Sequence, residues 1–439
     1  MGKKRRRKLH LMNFIFIFST TLIGITILGV VVLLLCNTAA SPKESTDAFG
    51  MEAIPSETSE TMSSTSAYQW EIEKIPEDEI NPENEENLSS EPQGQGKYAQ
   101  ILADPEYMAA NNIYAKETAA EGEVVLAFGG DILFDPGYSV MAKLLQRPGG
   151  IHDSISEDLM TEMQNADILM LNNEFPYSNR GTPTEGKQFT FRAKPEYAEL
   201  LHEMGTDIVS LANNHAYDYG ETALLDTFDT MENTGIPYVG AGRNLEEAMK
   251  PIYFIAGDIK IAIVSATQIE RQDNPDTKEA TETSPGVFRC WNPDKLLEAV
   301  TEAKANSDFV IVYIHWGTEN TAEPDWAQLD QAPKIVEAGA DLIIGAHPHC
   351  LQPIQYIDNV PVIYSLGNFW FNSKQVDTCL IKAVVTEEGL TNLQFRPAIQ
   401  KDCTTSLLYG SEKDRLLTYM RSISPGITIG EDGYITPNK

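Results

Sequence analysis

Between residues 123 and 366, short runs of apolar, β-branched residues alternate with amphipathic stretches, and this alternation most constrains the fold. VVLAF (124–128), ILML (168–171), DIVSL (207–211), IAIVS (261–265), FVIVYI (309–314), LIIG (342–345) and VIYSL (362–366) read as strands covered on both faces. YFIAGDIKIAIVSA (253–266) reads as a hairpin turning at Gly257-Asp258. Between them lie the helical patterns PEYAELLHEMG (195–205), GETALLDTFDTMENTG (220–235), NPDKLLEAVTEAKAN (292–306) and DQAPKIVEAGA (330–340). The alternation predicts an α/β domain over residues 123–400 with largely parallel strands. Residues 98–118 read as a short helix within a lead-in segment (97–122). The signal fades after about residue 400, so 401–439 are expected to be a C-terminal tail.

The first hundred residues have a different texture. KKRRRK (3–8) closes a basic tail (1–10), and Leu11 to Cys36 then carries no charged residue. That run is about the ~20 apolar residues a membrane-crossing helix needs and exceeds the roughly 7–15 of a signal-peptide core. The expectation is a single-pass anchor over 11–36, with the N-terminus cytoplasmic and the main domain extracytoplasmic. The alternative is a long signal peptide cut near Ala40. Leu33-Leu34-Leu35 before Cys36 is not a lipobox. Residues 37–96 read as an acidic, disordered linker. EIEKIPEDEINPENEENLSSE (71–91) holds nine acidic residues against one lysine and has too little apolar surface to offset ordering.

The formal net charge of −31 argues against a nucleic-acid partner. Cys36, Cys290, Cys350, Cys379 and Cys403 lack a close CxxC spacing, and no disulfide or structural zinc site is expected.

Four of the chain's seven histidines follow predicted strands immediately: His215 in SLANNH, His315 in VIVYIH, and His347 and His349 in IIGAHPH. Asp131 (LAFGGD) and Glu174 (LMLNNE) occupy the same kind of position. Ligands of open α/β sheets bind outside the carboxyl ends of the strands, so these residues converge on one rim. Imidazole with carboxylate is the ligand set of divalent metals. Each residue also has a plain reading. Asp131 could cap a turn, Glu174 could be solvated, Asn213-Asn214-His215 could be a polar turn, and His315 could be a hydrogen-bonded core histidine. The His-Pro-His of 347–349, two imidazoles held in one rigid turn, fits a plain reading least well.

LAFGGD, NNEFP, FRAKPEY, SLANNHAYDYG, VYIHWGTEN, GADLIIGAHPH and YSLGNF, in this order across nearly all of 123–371, resemble the CapA capsule-synthesis family, tied to poly-γ-glutamate synthesis. That family is similar to calcineurin-like metallophosphoesterases. The resemblance implies a four-layer sandwich, two mixed sheets flanked by helices, with one or two divalent ions, Mn, Zn or Fe. It implies Asp131, Glu174 (bridging), Asn214, His315, His347 and His349 as metal ligands. His215 would act on the leaving group or transition state without binding metal. The chain departs from the family's usual Asp-x-His opening, because Leu133 stands in the histidine's place. That puts the second metal in doubt unless Asp135 compensates.

Asn213, Asp218, Glu319 and Asn368 are expected around these ligands, Asp218 and Glu319 as partners that orient imidazoles. Arg180, Lys187, Arg192 and Lys194 would form either a basic groove or a solvated loop. Two functions stay open: a metal-dependent phosphoesterase-like hydrolase or transferase acting on an anionic envelope polymer or its precursor, or a non-catalytic membrane-tethered assembly or polymer-binding component. Either would work beside other membrane components of polymer synthesis.

Overall fold

Neighbouring residues of one strand enter different cores, which stacks the chain in layers. In the strand Val124–Ile132, Val124, Leu126 and Phe128 join one core, while Ala127 and Ile132 join another. In Ile259–Thr267, Ile261 and Ile263 join that first core, while Ala262 and Val264 join a third. The first core therefore lies between two sheets, and each sheet is covered outside by helices. The computed structural model describes residues 96–269 and 277–438. The expected basic tail, anchor and all of the linker but residue 96 lie outside the described residues. Among those described, no helix is long and apolar enough to cross a membrane.

One sheet has seven strands in the order Ile113–Lys116, Ile252–Ala256, Ile259–Thr267, Phe309–His315, Leu342–Ala346, Val360–Ile363 and Ile354–Ile357. The other runs Thr404–Leu407, Gly389–Lys401, Val376–Thr386, Val124–Ile132, Ile168–Asn173, Ile208–Ser210 and Tyr238–Val239, with Asn368–Trp370 beside Val124–Ile132. We call them the histidine sheet and the carboxylate sheet, after the side chains they bring to the site. The outer face of the histidine sheet packs on helices Asp294–Ala305 and Trp326–Glu337. That of the carboxylate sheet packs on helices Glu157–Gln164 and Gly220–Thr234. The helix Gly220–Thr234 stops at Gly235, whose φ of 74° is the left-handed conformation that suits a helix end. Trp326–Glu337 begins four residues earlier than the sequence pattern indicates, because Asp325 and Gln328 form a reciprocal capping box.

Most strand pairs are parallel, as the alternation indicates, but both sheets are mixed. Val376–Thr386 pairs antiparallel with both Val124–Ile132 and Gly389–Lys401. The lead-in is also more than a helix. Two short helices, Ala99–Leu102 and Pro105–Ala110, precede the strand Ile113–Lys116, which pairs parallel with Tyr253–Ala256. The strand expected at 362–366 instead spans Val360–Ile363.

Residues 401–439 are not a tail. Thr404–Leu407 extends the carboxylate sheet, and helix Gly410–Ile423 buries Leu416, Leu417 and Met420 in the core between the sheets. Leu416 is fully buried there. Leu416→Ala is therefore expected to destabilise the protein by about 2–5 kcal/mol in urea titration. A change below ~0.5 kcal/mol, the size of a surface substitution, would mean the helix does not close this core.

Candidate metal centre

The carboxylate sheet supplies Asp131, Glu174, Asn214, His215 and Asn368; the histidine sheet supplies His315, His347 and His349. A bulge aims Asp131. Phe128 pairs with Met170 and Asp131 with Asn172, so Gly129 and Gly130 together oppose Leu171. A Cβ on Gly130 would lie 1.9 Å from the Gly367 carbonyl oxygen, so only glycine fits. Gly130→Ala should cost about 1–3 kcal/mol and displace Asp131. Urea titration and metal content would both fall short of wild type, and an unchanged pair of values would remove this role for the bulge.

His347 and His349 have φ of 98° and 56°. Non-glycine residues rarely occupy this region, and such strain concentrates at functional sites.

The side chains converge in two overlapping groups, Glu174–His315–His347 and Asp131–Glu174–His349. In each, one ligand atom per residue lies within 4.8 Å of the others, and Glu174 belongs to both. His315 Nε2 lies 2.8 Å from Asn214 Oδ1, 3.0 Å from His347 Nδ1 and 3.8 Å from Glu174 Oε1. His349 Nδ1 lies 2.7 Å from Asn368 Oδ1 and 3.2 Å from Asp131 Oδ2.

Two buried oxygens, Asp131 Oδ2 and Glu174 Oε1, face imidazole nitrogens at 3.2 Å and at 3.8–3.9 Å and find no well-aligned donor among the described residues. An unsatisfied carboxylate oxygen buried among imidazoles asks for a cation. The donor set fits a divalent metal. Electrostatics agree: burial and then the Asp131 charge hold Glu174 well above the usual carboxyl range. Burial and neighbouring imidazoles hold His315 and His347 well below the usual histidine range, neutral as ligands must be. His349 is raised, its contacts with Asp131 overcoming the opposing effect of burial.

His215 stands beside these groups. Its Nδ1 is 2.7 Å from Asp218 Oδ2, its Nε2 is 3.9 Å from Glu174 Oε1, and Phe191 covers the ring at 4.2 Å between centroids. Burial, followed by the Lys187 charge, holds it well below the usual histidine range. Burial raises Asp218 to about 7, against the pull of Lys187. Asn213 braces the turn: its Nδ2 donates to Asn172 Oδ1 and to the Asn173 carbonyl, and its Oδ1 accepts from His215 N.

Two expected residues take other roles. Asp135 belongs to neither ligand group, and Gly137 N and Arg192 N, each at 2.7 Å, donate to its two oxygens. Glu319 sits half-buried on the rim, where its charge acts on Glu174 and His349. Leu133 is fully buried in the core under the carboxylate sheet.

The four cations between motifs form neither a groove nor a uniformly solvated loop. Arg180 pairs with Asp226, Arg192 stacks 4.1 Å over Tyr219, Lys194 lies 3.7 Å from Glu196, and Lys187 is buried against Asp218. Cys290, Cys350, Cys379 and Cys403 are free thiols.

Sequence reasoning overlooked Asn172, whose Nδ2 reaches Asp131 (2.7 Å), Glu174 (3.4 Å) and His315 Nδ1 (3.3 Å). It also overlooked Phe191 and Phe371, a perpendicular pair packed on His215 and His349 respectively. Phe191 and Phe371 lie in or beside the quoted motifs FRAKPEY and YSLGNF, which is the signal that would have found them.

Facing mixed sheets with a buried carboxylate–imidazole cluster at one rim define an α/β protein with a metal-type centre. Residues 125–373 match the family described as bacterial capsule synthesis protein PGA_cap, and the chain belongs to that family. It is 28% identical over 286 residues to the PGA biosynthesis protein CapA of Bacillus subtilis, covering 64% of this chain and 73% of that one. It is 30% identical over 275 residues to the capsule biosynthesis protein CapA of Bacillus anthracis, covering 60% and 66%. A solved 5′-nucleotidase from Candida albicans overlaps 65% of this chain and 54% of its own, with a TM-score of 0.36 and 10% identity.

Proposed function

We propose that this chain is a membrane-anchored, extracytoplasmic component of capsule or poly-γ-glutamate synthesis, and that its rim site is a metal-dependent, phosphoesterase-like centre. The observation that carries the reading is the pair of ligand groups sharing Glu174, with buried Glu174 and Asp131 oxygens that face imidazoles and find no well-aligned donor among the described residues. Glu174, His315 and His347, with Asn214 Oδ1 beside them, would hold one divalent ion. Asp131, Glu174 and His349 would hold the other, short of the nitrogen that Leu133 does not supply. Such an ion supplies Lewis acidity toward a phosphoryl oxygen and toward water.

The remaining work falls to the chain. Asn172 fixes the Asp131 carboxylate and steadies Glu174 and His315. Asn368 holds the His349 ring. His215 presents Nε2 to the centre, where it would stabilise or protonate a departing oxygen. Phe191 and Phe371 limit water at the two histidines they cover.

The substrate class is an anionic polymer of the envelope or its phosphorylated precursor, handled beside other membrane components of the synthesis machinery. The names of the two CapA relatives support this placement, and KKRRRK ahead of the apolar run 11–36 supports the anchor.

Elemental analysis of the detergent-purified full-length chain tests the centre. One or two equivalents of Mn, Zn or Fe, removable by chelator, are expected. A metal-free chain that takes up none of these ions would overturn it. The burial of Leu133 favours one second reading, an assembly component that keeps a weaker metal site without turnover.

A further inference from the structure

Lys187 lies outside both ligand groups, yet it is one of the most buried cations of the domain. Its side chain is 4% exposed, and that of its partner Asp218 is fully buried. Nζ donates to Asp218 Oδ1 at 2.6 Å and to the Asn214 carbonyl at 2.5 Å. The other carboxylate oxygen, Oδ2, lies 2.7 Å from His215 Nδ1 and accepts from Phe191 N at 2.7 Å. One buried ion pair thus reaches the metal-ligand turn at Asn214, the ring of His215, and the backbone of the residue stacked on that ring. Burying such a pair is unfavourable unless every donor and acceptor is satisfied, and a salt bridge so placed is weak evidence of a purely stabilising role.

We propose that Lys187 is a positioning residue: through Asp218 it fixes the ring and tautomer of His215, so that only Nε2 faces the metal centre. The inference rests on the phosphoesterase-like reading above for its consequence, and on geometry alone for its structural part. An ammonium group donating to one carboxyl oxygen orients the group and leaves the other oxygen to pair with Nδ1. Because Lys187 Nζ occupies Oδ1, it is Oδ2 that faces Nδ1, and the ring is held with Nε2 turned toward the centre. Asp218, held by Lys187, also ties down the segment between Thr184 and Phe191, because Thr184 N donates to its carbonyl and Phe191 N to its side chain.

The test uses the full-length chain, metal-free and carrying [15N]histidine for the tautomer, and loaded with Mn2+ for turnover of bis(p-nitrophenyl) phosphate. Wild type should show His215 with its proton on Nδ1. K187M should lose that single-tautomer signature and lower kcat ~10–100-fold, the usual size for an outer partner, with KM and bound metal unchanged. K187R, which keeps the charge, should recover part of both. Should K187M fail to fold, K187M/D218N removes the pair together and is expected to show the same loss. A variant that keeps the Nδ1 proton and wild-type kcat overturns the proposal. So does one whose kcat falls only in step with lost metal. If wild type binds metal but turns over no phosphodiester, the phosphoesterase reading fails, and the Nδ1 proton still decides the role of Lys187.

Discussion

Glu174→Gln is expected to empty both halves of the site at once. Glu174 is the one residue common to the two ligand groups, so its loss should weaken metal binding by more than the ~10–100-fold that an outer partner costs. The same substitution should make the metal-free protein more stable at neutral and alkaline pH. Burial and the Asp131 charge raise the folded pKa of Glu174. A carboxyl raised in this way contributes stability that is fully present below its unfolded pKa, about 4.3, and is lost as pH rises through the folded value. In chelator, the melting temperature of wild type minus that of Glu174→Gln should therefore fall as pH rises from about 4 upward. Saturating metal should reverse the order, because a ligand at 100 times its Kd adds about 2.7 kcal/mol to wild type and little to the variant. Equal metal content in the two proteins would remove Glu174 from the centre.

His215→Ala separates chemistry from binding. His215 belongs to neither ligand group, so metal content should hold while phosphodiester turnover falls by ~10²–10⁴, the contribution of a general acid or base. In polymer-producing cells the variant should lose production as fully as a chain deleted of residues 11–36. Production that survives His215→Ala but not the deletion would transfer the assignment to a non-catalytic assembly role.

The gathering of the ligands was legible because each announces itself locally: a polar residue placed directly after a run of apolar, β-branched residues has one rim to go to. The His-Pro-His of 347–349 was clearest, since an irregular turn there cannot be read as core. Lys187 was illegible for the opposite reason. Its charge is visible in the sequence but its burial is not, and it sits among three other cations that do reach solvent. Asn172 was hidden beside Asn173 and Asn213, with nothing in composition to say which amide turns inward.

The C-terminal elements failed for want of local signal. GSEKDRLLTYMRSI is mostly polar, and its buried Leu416, Leu417 and Met420 matter only because two sheets built from earlier residues leave a gap for them. The Val376–Thr386 and Gly389–Lys401 pair carries no motif, so its antiparallel register came only from the structure.

The division of the ligands between the sheets has a consequence for the history of each molecule. Asp131 and Glu174 come from one sheet and His315, His347 and His349 from the other, so neither half offers a complete ligand group. The pocket comes into being only when the halves dock. If the centre holds an ion as proposed, capture would follow the packing of the two sheets, and a chain translocated before it folds would take that ion from the compartment in which folding finishes, not from the one in which it was synthesised.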